Sequence, residues 1–134
     1  EPGRRPFHTL NPAMAQLTDG RVFAYGTMGG EGQPQTQAQL FERHVRHDMP
    51  LEEALDAPRW LLGRTWGSSV TSLRFESRFD DGLLRDLARM GHQTAVMDEA
   101  WSDTMGHAGG VTLHPDRSLS GAHDPRADGG AAGV

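Results

Sequence analysis

Neither cysteine nor lysine occurs among the 134 residues, and each absence removes a class of chemistry. Without cysteine there is no thiol nucleophile, no thiolate metal site and no disulfide, which leaves the redox compartment open. All 13 basic residues are arginine, so a Schiff base or the phosphate-gripping lysine of a P-loop is excluded within this chain. Aromatics are scarce at 7%, and the hydrophobic share of 36% lies below the usual globular level. No run approaches the roughly 18 apolar residues that a membrane-crossing helix needs, and no basic-then-apolar signal opens the sequence. The chain is therefore expected to be soluble, with no membrane partner. Hydroxyls, carboxylates, histidine, arginine and backbone amides remain for any catalysis.

The net charge of -5, with acids and arginines interspersed, argues against a nucleic-acid partner, because phosphate binding needs a clustered positive face. The 17 glycines and 8 prolines make the chain loop-rich without collagen periodicity. At 14.6 kDa it is sized for one domain, or part of one, with a modest core. Glu1 is not an initiator Met, and the first six residues hold two prolines and a glycine, which suits a cut in a linker. The expectation is a fragment or processed subunit that makes extra contacts.

Local signals outline an α+β unit. Residues 13–18 and 21–26 are short strand-like runs joined by Asp19-Gly20, the dipeptide that favours a tight hairpin turn. A glycine loop follows, then TQAQLFERHVRHDM, whose Ala38, Phe41 and Val45 lie at helical spacing behind Pro34. PLEEALDAP predicts a second short helix between Pro50 and Pro58, with acids in its first turn. RWLLGRTWGSS is apolar but irregular. Asp80 is placed to cap a helix ending at Gly91, and Pro115-Asp116 to turn a hairpin. Strands are predicted near 13–26, 73–77, 93–97 and 109–122, and helices near 34–47 and 81–90.

The loop Gly26-Thr27-Met28-Gly29-Gly30-Glu31-Gly32 is the strongest chemical candidate. Paired glycines between a strand and a helix let consecutive N–H groups turn toward one anion, which the helix dipole then favours. A tight connection explains the same residues equally well. The loop lacks the GxGxxG spacing and the GK[ST] ending, so nucleotide readings score poorly.

Five blocks, PFHTLNPAM, GTMGG, LEEALDAPRW, RFDDGLLRDLARMGH and LSGAHDPRADGGAAG, occur in the order of matching blocks in the small subunit of gamma-glutamyltransferases (gamma-glutamyltranspeptidases). There the first block usually reads SSMSP, the loop GSPGG, and the last GASDPR. The chain thus resembles the C-terminal part of that subunit, across residues 1–134 as a single-domain fragment. The resemblance implies an N-terminal nucleophile hydrolase, part of an αββα four-layer sandwich. Such an enzyme transfers a gamma-glutamyl group from glutathione-like amides to amines or water without metal or organic cofactor.

The implied nucleophile is an N-terminal threonine in a Thr-Thr-His-like block. Nothing before Phe7 matches that block, so this chain is expected to be inactive alone and to need the upstream small-subunit segment and the large subunit. By the same resemblance, Gly29 and Gly30 supply oxyanion-hole amides, and His8 and Thr9 stand where a serine pair contacts the substrate's alpha-carboxylate. Thr9 keeps the hydroxyl and His8 does not, and Thr27, Met28 and Glu31 also depart from the usual loop. A cephalosporin-acylase-like amide acylase and a non-catalytic module of the same fold are the alternatives, and a homo-oligomer stays open.

Other features read as structural. His44 and His47 are three apart on a predicted helix, but no third metal ligand falls at a convincing distance, and His107, His114 and His123 read as loop or edge residues. Glu31 is expected to point away from the oxyanion site or to cap the helix. Trp60 and Trp66 are expected to anchor the core or a subunit contact. Asp124-Pro125-Arg126 reads either as an active-site salt bridge or as a turn in which Asp124 tethers an amide and Arg126 faces solvent.

Overall fold

A computed structural model describes residues 1–6, 8–64 and 70–133. The Asp19-Gly20 turn joins β1 (Ala13–Gln16) to β2 (Val22–Thr27), with Gly20 at φ 90° and Asp19 accepting from the Arg21 N–H at 3.0 Å. A 3-10 turn over Gly30–Gly32 leads into α1 (Gln33–Phe41), with Pro34 in its first turn, and a π turn over Glu42–Arg46 extends it. The second short helix, α2 (Leu51–Asp56), starts after Pro50 and stops at Ala57 before Pro58. Next come β3 (Trp60–Leu62), β4 (Leu73–Phe75), α3 (Asp81–Arg89), β5 (Thr94–Val96), β6 (Ala108–Leu113) and β7 (Leu119–His123). The Asp80 carboxylate accepts the Leu83 N–H at 2.9 Å, and Gly91 at φ 96° follows the end of α3.

The strands form two sheets: an antiparallel one ordered β1-β2-β6-β7, and a mixed one ordered β3-β4-β5 in which β4 and β5 run parallel. The RWLL stretch, irregular by pattern, thus contributes β3, while Trp66 lies outside the described residues. Helices α1 and α2 pack on one face of the larger sheet. The core there joins Phe23, Leu40, Leu51, Ala54, Leu55, Ala108 and Ala122. The fold is α+β, with helices packed on one face of the larger of two sheets.

Helix α1 departs from its apolar-stripe reading. Ala38 is exposed and Phe41 only half-buried against Tyr25, whereas Gln33, Thr36, Gln37, Gln39 and Leu40 are buried. Burying amides is tolerated because each is bonded. Gln39 accepts the Trp60 N–H at 3.2 Å and donates to its carbonyl at 2.8 Å, and Gln35 does the same to Leu62 at 2.7 and 3.0 Å. Two side chains one turn apart therefore act as a surrogate strand along the free edge of β3.

Candidate active site

The β2 ladder ends at Thr27, paired with Ala108, and the glycine loop leaves the sheet there. Gly29 has φ 133° and ψ 22°, and Gly30 has φ 54°, conformations that L side chains adopt rarely. Among the described residues, neither the Gly29 nor the Gly30 N–H donates a backbone hydrogen bond, while the Gly29 carbonyl accepts from Gly32 at 2.9 Å. Two amide donors ahead of α1 thus have no backbone acceptor among the described residues.

The loop is backed by the segment from Met105 to His107. Met28 N–H donates to the His107 carbonyl at 3.4 Å, and the Thr36 hydroxyl to the Met105 carbonyl at 3.0 Å. Gly106, at φ 84°, lies so close that a Cβ there would be 2.6 Å from both the Met28 carbonyl oxygen and the Thr27 hydroxyl oxygen. Glu31 is exposed and lies 3.8 Å from the exposed Arg64.

The second predicted pair lies at the same end of α1. His8 and Thr9 are exposed, and the Thr9 carbonyl accepts from the Gln33 side chain at 2.9 Å. Between that segment and the loop runs an open groove of about 220 Å³, lined by Leu10, Asn11, Pro12, Gly26, Thr27 and Gln33. A larger hollow of about 500 Å³ is lined by Asp103, His107 and residues 125–128; none of the four predicted site residues lines either hollow, although Leu10 and Gln33 of the smaller one adjoin Thr9.

His44 and His47 have other occupations. His44 Nδ1 lies 2.8 Å from the Met49 carbonyl and its ring packs edge-on to Phe23, while His47 sits 3.8 Å from Glu42. His114 pairs with Ser120 at 2.8 Å in the β6–β7 hairpin.

Beneath the loop lies a buried charge cluster that the sequence showed only in outline. Asp124 tethers amides as expected, accepting Ala108 N–H at 2.7 Å and Arg126 N–H at 3.0 Å. Arg126 does not face solvent. It is 7% exposed and grips Glu76 through Nε at 2.6 Å and a second nitrogen at 2.5 Å. Arg59, 1% exposed, meets Asp124 at 2.6 Å and donates to the Gly106 carbonyl at 2.8 Å. Glu76 also accepts the N–H groups of Arg59 and Ser102, each at 2.8 Å. Two cations and two anions thus cancel in the interior and tie α2, β4 and the last loop to the segment behind the glycines.

Burial opposes the charge on each member. For Asp124, burial pushes the carboxyl up, but Arg59 and the donated amides outweigh it and hold the group below the ordinary carboxylate value. Burial, aided by Arg126, brings Arg59 down to about 10 despite Asp124, so it stays charged at neutral pH. Burial also disfavours the Arg126 cation, yet Glu76 and Asp124 raise it net above the usual arginine value. Sequence reading missed Arg59 and Glu76; the recurring Pro58-Arg59 and Pro125-Arg126 dipeptides were the available signal.

A sequence profile described as gamma-glutamyltranspeptidase matches residues 1–134. The oxamate amidohydrolase proenzyme of Klebsiella pneumoniae is 54% identical over 98% of this chain and 25% of its own length. The glutathione hydrolase-like YwrD proenzyme of Bacillus subtilis is 41% identical over 100% of this chain and likewise 25% of its own. The chain therefore spans about a quarter of these relatives. A solved gamma-glutamyltranspeptidase from Pseudomonas nitroreducens superposes with a TM-score of 0.73 over 100% of this chain and 66% of that one, at 23% identity, a likeness of fold. With the profile matched over residues 1–134 and relatives 54% and 41% identical across almost all of it, the chain belongs to the gamma-glutamyltranspeptidase family.

Proposed function

We propose that this chain is the C-terminal portion of the small subunit of an amide-cleaving proenzyme, and that it supplies the oxyanion-stabilising wall of the site. The nucleophilic threonine comes from an upstream part of the same proenzyme, so the chain alone turns nothing over. In the assembled site the threonine hydroxyl attacks the amide carbonyl, its own amine takes the proton, and the carbonyl oxygen becomes negative. Gly29 and Gly30 amides then donate to that oxygen, helped by the positive end of α1. The amide nitrogen leaves protonated, and water releases the acyl group by the reverse sequence.

One observation carries the reading: two amides without ladder partners open at the same helix end as the Thr9 segment, beside a groove. Small carboxylated amides suit that arrangement. In oxamate the carboxylate adjoins the scissile amide, so its charge would sit close to the helix end. His8, in place of a serine hydroxyl, fits a departure from gamma-glutamyl recognition, and the name of the 54% identical relative points the same way. Gamma-glutamyl amides are the second reading, favoured by the hydroxyl that Thr9 retains and by the 41% identical glutathione hydrolase-like relative.

The test is to express the full-length proenzyme, follow self-cleavage on gels, and assay ammonia release from oxamate and anilide release from a gamma-glutamyl-anilide. Self-cleavage followed by release from oxamate is the expected result. Loss of all three activities in soluble, folded protein would contradict the proposal.

A further inference from the structure

Four glutamines occupy alternate positions 33, 35, 37 and 39 of α1, and the structure divides their labour. Gln35 and Gln39 cover the edge of β3, as described above. Gln33 and Gln37, 7% and 8% exposed, reach the other way: Gln33 Nε2 donates to the Thr9 carbonyl at 2.9 Å and Gln37 Nε2 to the Asn11 carbonyl. Four residues of helix rise about 6 Å, and two residues of extended chain advance about 6.6 Å. Glutamines one turn apart can therefore meet alternate carbonyls of an extended segment, whereas a slip of one residue would present the Leu10 carbonyl, and successive carbonyls of an extended chain face opposite sides. The pair acts as a register lock.

Gln33 is also the first residue of α1, directly after the Gly30–Gly32 turn. The lock is thus built on the same helix end that carries the two free amides, and Thr36 on that helix anchors the segment behind them. We propose that Gln33 and Gln37 are positioning residues that fix the distance between the substrate-contacting segment His8–Thr9 and the oxyanion amides of Gly29 and Gly30. This inference rests on the oxyanion reading above and deepens it. A merely structural role for these buried amides would affect stability; a positioning role affects substrate affinity, because the clamp on the substrate moves while the amides that face the developing charge stay where they are.

The experiment compares Gln33→Met, Gln37→Met and, as a control on the other side of the helix, Gln39→Met in the full-length, self-processed protein. Methionine keeps the volume and the unbranched stem but removes the donor. The readouts are KM and kcat for whichever of oxamate and gamma-glutamyl-anilide the wild type hydrolyses, hydrogen–deuterium exchange of the peptide spanning residues 8–11, and the unfolding midpoint. Gln33→Met and Gln37→Met should each raise KM about tenfold, the size expected from one lost hydrogen bond, with kcat within about threefold. Exchange should speed up at residues 8–11. Gln39→Met should lower the unfolding midpoint and leave KM alone. An unchanged KM, or unchanged exchange at residues 8–11, overturns the proposal. If Gln33→Met fails to accumulate, Gln37→Met, which leaves the first turn of α1 untouched, carries the same expectation. A wild-type protein that hydrolyses neither amide sinks the function reading instead, and the exchange arm then decides the clamp by itself: protection lost on substitution supports it and protection kept refutes it.

Discussion

Asp124 and Glu76 together balance the buried cations Arg59 and Arg126. Removing either carboxylate by Asp124→Ala or Glu76→Ala leaves two buried arginines facing one carboxylate, which costs on the order of 3–5 kcal/mol, to be measured by urea unfolding of the full-length protein. Replacing an exposed partner, as in Asp86→Ala beside Arg89, should change stability by less than about 1 kcal/mol. The Asp124 carboxyl, held below its ordinary 3.8, also sets a pH dependence. A depressed acid contributes stability that is present above its unfolded value and is lost as pH falls through the lower folded value. Wild-type stability should therefore fall in acid below about pH 4, and Asp124→Asn should flatten that part of the profile. Gly29 is the other residue with a sharp expectation. At φ 133° an alanine is strained, although its Cβ would meet Gly106 only at 3.6 Å, so relief comes from rotating the loop amides. Gly29→Ala should lower kcat by on the order of 10² to 10³ with KM little changed, read by steady-state kinetics.

Among the elements, α1 connects most of what matters. It carries the free amides at its start, the edge cover of β3 and the tie to the Thr9 segment. Gln35→Ala should cost about 0.5–1.5 kcal/mol and leave the edge of β3 open to pairing with other chains, detectable as faster aggregation on heating. Elements whose cause is local were legible in the sequence. The hairpin follows from Asp19-Gly20, the start of α3 from the Asp80 cap, and the β6–β7 turn from Pro115-Asp116, since each depends on residues within a few positions. Elements with remote partners were not. Three-residue β3 exists because β4 and two helix glutamines satisfy its backbone, and no pattern inside RWLL announces them. Arg126 is buried because Glu76, fifty positions away, meets it, so the local sequence left a salt bridge and a solvent-facing turn equally open. The candidate site divides the same way: the unusual backbone of the glycine pair could be anticipated from sequence, whereas Gln33 and Gln37 looked like ordinary polar helix residues until their carbonyl partners were placed.

At the scale of the whole molecule, the larger sheet has two unlike faces. Phe23, Tyr25 and Thr112 look toward α1 and α2, while Met14, Val111, Leu113 and Leu119 stay 41–73% exposed along β1, β6 and β7. Such a contiguous apolar face draws association. The isolated 134-residue chain should self-associate in analytical ultracentrifugation, and Met14→Lys with Leu119→Glu should reduce it. The proposed function, in turn, requires that the rest of the proenzyme bring a nucleophile to the glycine loop. The decisive measurement is a crystal structure of the mature full-length enzyme carrying a tetrahedral carbonyl adduct. The adduct oxygen should lie about 2.7–3.1 Å from the amide nitrogens of both Gly29 and Gly30. An oxygen bound by other donors, with these two amides turned away from it, would contradict the oxyanion role.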